Sequence, residues 1–172
     1  LVARLQAGDA GAFDDVYATF NSRLYGFLLR LTRRRDTAED LLDETWMRLV
    51  RHAPRLQADT RLGPWLFTVA RHLHVSHVRS RLIEDDAADS LIGLWPYHVA
   101  RVSPFEETAG RELERRLERA LATLPARTRE VLLLVGVAGL DPADAADVCG
   151  ITPRALRQRL HRAREALAKA LA

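Results

Sequence analysis

One cysteine, one lysine and one methionine occur among 172 residues. Cys149 by itself cannot close an internal disulfide, and without a CxxC pair no structural zinc site can be assembled, so stability must come from packing. Long hydrophobic runs are also missing. The only almost wholly apolar stretch, Val131 to Leu140, is far shorter than the roughly 18 residues that span a bilayer, which excludes membrane insertion through it. The first residues, LVARLQAGDAGAF, lack the basic start, apolar core and small-residue cleavage site of an export signal, so the expected compartment is the cytoplasm. The chain opens on Leu1 and its one methionine is Met47, so further residues ahead of Leu1 are expected. No P-loop, nucleophile elbow or metal-ligand set is found, and neither an enzyme nor a cofactor is expected. What remains is 48% hydrophobic and 28% charged residues, with seven Pro and nine Gly. That is a globular composition, unlike collagen, a lone coiled coil or a disordered chain.

The formal charge is +3, and 25 of the 26 basic residues are Arg. Its distribution is uneven. Leu1 to Arg81 carries a net +4, Leu82 to Gly110 a net −5, and Arg111 to Ala172 a net +4. Two basic blocks joined by an acidic connector suggest two modules that face polyanions. GC-rich codon usage would explain the preference for Arg over Lys, but not the three blocks.

Apolar periodicity predicts helices throughout. Asp9 can cap a helix carrying Phe13, Val16, Tyr17, Phe20, Leu24, Phe27, Leu28 and Leu31 at three- and four-residue spacing. Asp36 with Glu39 reads as a capping box for a second helix that continues through Leu41, Leu42, Trp46 and Leu49 and stops near Pro54. A third starts near Pro64, where a missing N–H costs nothing, and runs to about Arg81. Periodicity fades from Leu82 to Ser103, a linker rich in acids that also holds Trp95-Pro96-Tyr97, an aromatic group larger than a tether requires. Ser103-Pro104-Phe105-Glu106 restarts a helix with Leu113, Leu117, Leu121 and Leu124 on its inner face. Pro125 opens the next helix, through Val131 to Val137 and ending at Gly139, with a buried strand as the competing reading of that apolar run.

The strongest local signal lies at the end of the chain. Pro142 to Val148 forms a short helix, Gly150 a turn, and Thr152-Pro153 the start of a second helix, the layout of a helix-turn-helix. With Leu156, Leu160, Ala163 and Leu167 on one face, Arg154, Arg157, Gln158, His161 and Arg164 project elsewhere. Arg pairs bidentately with guanine and Gln with adenine in the major groove. Arg154, Arg157, Gln158 and His161 are therefore the candidate base readers, with Arg159 and Arg162 on phosphates. The plainer alternative is a solvated basic helix closing a small bundle.

Together the two halves resemble the extracytoplasmic-function (ECF) sigma factors of the sigma-70 family. DTAEDLLDETWMRL (Asp36 to Leu49) looks like the family's D-x-A-E-D-hydrophobic-x-Q-E segment, and GPWLFTVARHLHVSHVR (Gly63 to Arg79) like its W-L-x-x-I-A-R-N-x-x-x-D-x-x-R segment. LATLPARTREVLLL and GLDPADAADVCGITPRALRQRLHRAR resemble the corresponding segments of the second half. This sequence departs from the pattern at Asp43, His72, Ser76, Asp144 and Arg154-Ala155, some of them promoter-reading positions. The resemblance implies an all-α fold of two small helical domains: residues 1–81, like sigma region two; a flexible acidic linker over 82–103; and residues 104–172, like sigma region four with its helix-turn-helix.

The function so implied is that of an alternative sigma factor, which binds core RNA polymerase, recognises the −10 and −35 promoter elements and promotes initiation. By resemblance the polymerase partners are the beta-prime coiled coil and the beta flap. Asp36, Glu39, Asp40, Asp43, Glu44 and Trp46 would meet the coiled coil, although an ordinary solvated acidic face has the same composition. The −10 strand would lie along Arg61, Trp65, Arg71, His72, Arg79 and Arg81, with the loop Gln57 to Gly63 pocketing a flipped base. Trp65 reads more readily as core than as a stacking platform, and Trp46 as packing or polymerase interface. The −35 element would meet Arg154, Arg157, Gln158, Arg159, His161 and Arg162. An anti-sigma factor is a further candidate partner.

Two rivals stand beside this reading. His72, His74 and His77 suggest a metal enzyme, but His72 and His74 point about 200° apart on a helix and no acid or cysteine nearby completes a site. A stand-alone helix-turn-helix regulator, or a sigma-like decoy, draws support from the altered positions 43, 72 and 76.

Overall fold

A computed structural model describes the backbone of residues 1–87 and 108–172, and the side chains of residues 1–82 and 112–172. Among them every regular element is helical: α1 (Val2–Gln6), α2 (Ala10–Thr32), α3 (Arg35–His52), α4 (Leu62–Ala87), α5 (Thr108–Thr123), α6 (Ala126–Gly136), α7 (Pro142–Cys149) and α8 (Pro153–Leu171), with a 3-10 turn over Ala53–Arg55. The expected all-α class holds. Of the linker expected over 82–103, residues 82–87 are instead the end of helix α4, and the rest, including Trp95-Pro96-Tyr97 and the restart at Ser103, falls outside the described residues.

Helix starts follow side-chain chemistry. The Asp9 carboxylate accepts from the Ala12 N–H at 3.2 Å and caps α2 as expected. Asp141 does the same for α7, accepting from Asp144 N–H at 2.9 Å, and Thr152 for α8, accepting from Ala155 N–H at 3.2 Å. The expected capping box at Asp36 does not form. α3 begins two residues earlier, with Arg34 as its N-cap, because Asp36 is drawn to Arg34 (2.9 Å) and Glu39 to Arg35 (2.7 Å). The strand considered for Val131 to Val137 is helix α6, whose Val131, Leu133 and Leu134 are buried. α4 extends past Arg81 to Ala87, and α1 had no sequence signal strong enough to be predicted.

α2, α3 and α4 form the first half around Leu24, Phe27, Leu28, Leu49, Leu66 and Phe67, with the Phe27 and Phe67 rings edge to face at 5.5 Å. α5 to α8 form the second around Leu133, Leu134, Leu156 and Val131. The halves are not separate in space: α7 packs along α4 and α6 against α2, and one apolar cluster runs from Leu5 to Leu160. A Cβ on Gly63 would stand 3.3 Å from the Phe20 ring and 3.8 Å from Leu140, so glycine there permits the close approach.

Candidate nucleic-acid interface and partner surface

Gly150 ends α7 with φ +64°, a left-handed conformation suited to glycine, and turns the chain into α8. Leu156, Leu160 and Ala163 are buried, which fixes the rotation of α8. The opposite side then exposes Arg154, Arg157, Gln158, His161, Arg162 and Arg164. At about 100° per residue the first four of these fall within one side of the helix. His161 Nε2 lies 3.4 Å from Glu165 one turn on. Arg159 differs from its neighbours, being half-buried on the flank toward Cys149.

The residues predicted around α4 divide. Trp65, His72 and Arg79 recur every seven positions and share one side of the helix, with Arg61 just ahead of it. His72 and Arg79 are exposed, whereas Trp65 is half-buried against the core with its ring 6.2 Å from that of His52. Arg71 points instead toward α6, donating from Nε to Glu130 Oε1 at 2.7 Å. Arg81 is on the far side, where with Thr32, Thr37, His74 and His77 it lines a cavity of about 230 Å³. The structure thus does not bring all six together. His74 Nδ1 is buried without a hydrogen-bond partner, and burial, then His77, Arg129 and Arg71, keeps its pKa below the ordinary imidazole value. Among the described residues no three His, Cys, Asp or Glu side chains are placed to hold a metal ion.

On α3 Asp36, Glu39, Asp40 and Asp43 are exposed as expected and Glu44 is half-buried, but their surroundings differ. Glu39 pairs with Arg35, and Glu44 is shared by Arg48 (3.1 Å) and Arg51 (3.5 Å). Arg34 hydrogen-bonds Asp36 and holds that carboxyl below the usual carboxylate range. Asp40 and Asp43 have no ion pair among the described residues. Trp46 is buried, its N–H donating to Asn21 Oδ1 at 3.0 Å and its ring 4.9 Å from that of Tyr17. Packing explains it. The sequence reading passed over Met47 and Val50, which are 48% and 52% exposed. With Asp36, Asp40 and Asp43 they complete a four-three spacing, the repeat of a helix that seats against another helix. That repeat was available in the sequence, but acidic residues in its first half disguise it as a solvated face.

The second half thus carries a helix-turn-helix, and the first half, α1 to α4, an acidic and apolar stripe on α3. A sequence model of sigma-70 region 2 matches residues 8–82, and one of sigma-70 region 4 matches residues 114–167. The chain belongs to the sigma-70 family. It is 35% identical to the ECF RNA polymerase sigma factor EcfG of Rhodopseudomonas palustris, over 92% of this chain and 83% of that one. It is 34% identical to the ECF RNA polymerase sigma factor SigM of Bacillus subtilis, over 90% of this chain and 91% of the relative. A solved structure of the sigma factor RpoE in complex with the anti-sigma factor NepR from Bartonella quintana superposes with a TM-score of 0.76 at 28% identity, covering 93% of this chain and 96% of that one. In this sigma factor the matched region 2 segment contains α2, α3 and most of α4, and the region 4 segment contains α6, α7 and most of α8. No helix among the described residues is long and apolar enough to cross a membrane.

Proposed function

We propose that this sigma factor docks on core RNA polymerase through α3 and reads promoter DNA with two faces. In this reading residues 1–81 bind polymerase and the −10 element, and residues 104–172 bind the −35 element. The observation that carries it is the exposed stripe Asp36, Asp40, Asp43, Met47 and Val50, half acidic and half apolar, which matches a basic, partly apolar coiled-coil helix. A stand-alone regulator has no use for it. Asp40 and Asp43 supply charge, Met47 and Val50 the apolar contact, and Trp46 braces the stripe from beneath. The −10 strand runs along Arg61, His72 and Arg79, with Arg71 available once released from Glu130; Trp65 and Arg81 are secondary to it. At the −35 element Arg154, Arg157, Gln158 and His161 meet base edges, Arg162 a phosphate, and Arg159 supports the helix from its flank.

Partners follow from the same reading: the beta-prime coiled coil and beta flap of polymerase, promoter DNA, and an anti-sigma factor, the last supported by likeness to a sigma factor solved with one. The protein acts as an initiation factor in the cytoplasm and performs no chemistry of its own. The test mixes purified protein with bacterial core polymerase lacking sigma, then measures co-elution and transcription from a fragmented genomic library of the source organism. Co-elution with discrete new transcripts is expected, and loss of co-elution in D40A/D43A/M47A places the contact on α3. Binding without transcripts would indicate a sigma-like decoy, and DNA binding without polymerase a stand-alone regulator.

A further inference from the structure

One cavity of the first half is left without a role. It lies where the end of α2 and the start of α3 meet the later turns of α4, and its volume is about 230 Å³. Thr32, Arg34, Thr37, His74, His77 and Arg81 line it, with Val78 and Leu82 beside them. A junction between amphipathic helices ordinarily fills with apolar side chains. Here two arginines, two histidines and two hydroxyls converge, and no carboxylate is among the lining residues. Asp36, the acid nearest in sequence to Arg34 and Thr37, stays outside the lining and is held by Arg34 at 2.9 Å.

Two of the polar groups lack partners. His74 Nδ1 is buried with no hydrogen bond, and Thr37, only 7% exposed, has no hydrogen bond to its hydroxyl among the described residues. A buried polar atom without a partner costs stability that an apolar residue would not, and a ligand that supplies the partner accounts for it. The first turn of α3, between Arg34 and Thr37, adds the positive end of an 18-residue helix. Arginine, imidazole, hydroxyl and helix end together are the groups that hold a phosphate dianion. Val78 and Leu82, both exposed, form an apolar lip for an organic group attached to it. We propose that this cavity binds a small organic phosphate monoester through its terminal phosphate. A monoester presents three oxygens to the cavity and leaves its organic part on the lip, whereas a phosphate within a nucleic-acid strand carries chain on both sides. The site is independent of the polymerase and promoter readings.

The full chain is titrated by NMR with phenyl phosphate, inorganic phosphate, and sodium chloride at matched ionic strength, following the His74 and His77 rings and the Thr37 N–H. Saturable shifts at all three residues are expected with phenyl phosphate, with a Kd of about 1 mM or tighter, weaker binding of inorganic phosphate, and no saturable shift with chloride. R81A, at an exposed position, and T37V, which keeps the shape and removes the hydroxyl, should each weaken phenyl phosphate about fivefold or more. Burial, then His77, Arg129 and Arg71, with Arg34 and Arg81 also in the lining, keeps the free His74 ring below the ordinary imidazole range. An anion beside it should therefore raise its titration midpoint, read from the same ring signals. Shifts that grow without saturating, or that chloride reproduces, overturn the site, as does wild-type affinity in both R81A and T37V. Equal affinity for inorganic phosphate overturns the organic ligand and leaves a site for the free ion. A single-stranded DNA without terminal phosphates that displaces phenyl phosphate from these residues overturns the small-molecule site and assigns the cavity to strand binding.

Discussion

Arg71 and Glu130 are 59 positions apart in sequence, yet the Arg71 Nε donates to Glu130 Oε1 at 2.7 Å in a mostly buried pair across the two halves. Removing one partner strands the other away from water, at a cost of about 3 kcal/mol to the docked form. E130A is therefore expected to undock the halves, read as a larger radius of gyration in solution scattering. Replacing both residues by Met keeps the volume without a stranded charge, and should restore compactness. If E130A and the wild type scatter identically, the pair does not hold the halves together.

Phe67 is fully buried beneath α2, edge to face with Phe27. Phe67→Ala leaves a cavity that neighbouring side chains fill only in part, and a loss of about 3–5 kcal/mol is expected in urea unfolding of the first half. A loss below about 1 kcal/mol would place the core elsewhere.

Gly150 adopts φ +64°, and a Cβ there would meet nothing within 4 Å. Gly150→Ala thus incurs only the backbone penalty, about 1–2 kcal/mol in stability of the helix-turn-helix, and Gly150→Asn less. Equal stability of all three proteins would mean that the turn is not left-handed.

Stability should fall in mild acid through His74. Its pKa lies below the ordinary value of 6.5, mainly because it is buried, with Arg71, His77 and Arg129 adding to the effect and Arg34 and Arg81 lining the adjoining cavity. Above about pH 6.5 both folded and unfolded chains hold a neutral ring, so the full stability is present. As the pH drops through 6.5 the unfolded chain takes up the proton first, and stability is lost until the folded form protonates as well. His74→Leu should flatten this slope in chemical denaturation carried out across that range. An unchanged slope would assign the effect to another histidine.

Arg157 sits on the exposed side of α8 near its start. Arg157→Ala is expected to weaken binding by about 1–3 kcal/mol at one upstream base pair, measured by competition among single-substituted duplexes. Uniform weakening on every sequence would reassign the residue to a phosphate.

Much of the fold could be read in advance because it is local. Asp9 and Thr152-Pro153 mark helix starts within three residues of where they act, and the leucine spacing of α8 fixes its inner face without help from the rest of the chain. Asp36 misled because a neighbouring Arg34 competes for its carboxylate, a choice settled by side-chain reach rather than by motif. The candidate site was less legible. Nothing local tells Arg71 to face Glu130 while His72, one residue on, faces solvent, since that depends on where α6 arrives. Arg81 and Arg79 look equivalent in sequence and stand on opposite sides of α4. Met47 and Val50 were hidden among acids, although their spacing was in plain view.

The bonds between the halves join partners 59, 83, 88 and 115 positions apart, whereas most bonds within each half join near neighbours. Contacts that close long stretches of chain form slowly, because the entropy of bringing distant segments together is lost before any contact rewards it. Each half can therefore mature as it leaves the ribosome, α1 to α4 well before α6 exists. The docked arrangement is therefore expected to form last, which would give each newly made molecule a period in which its two halves have not yet met.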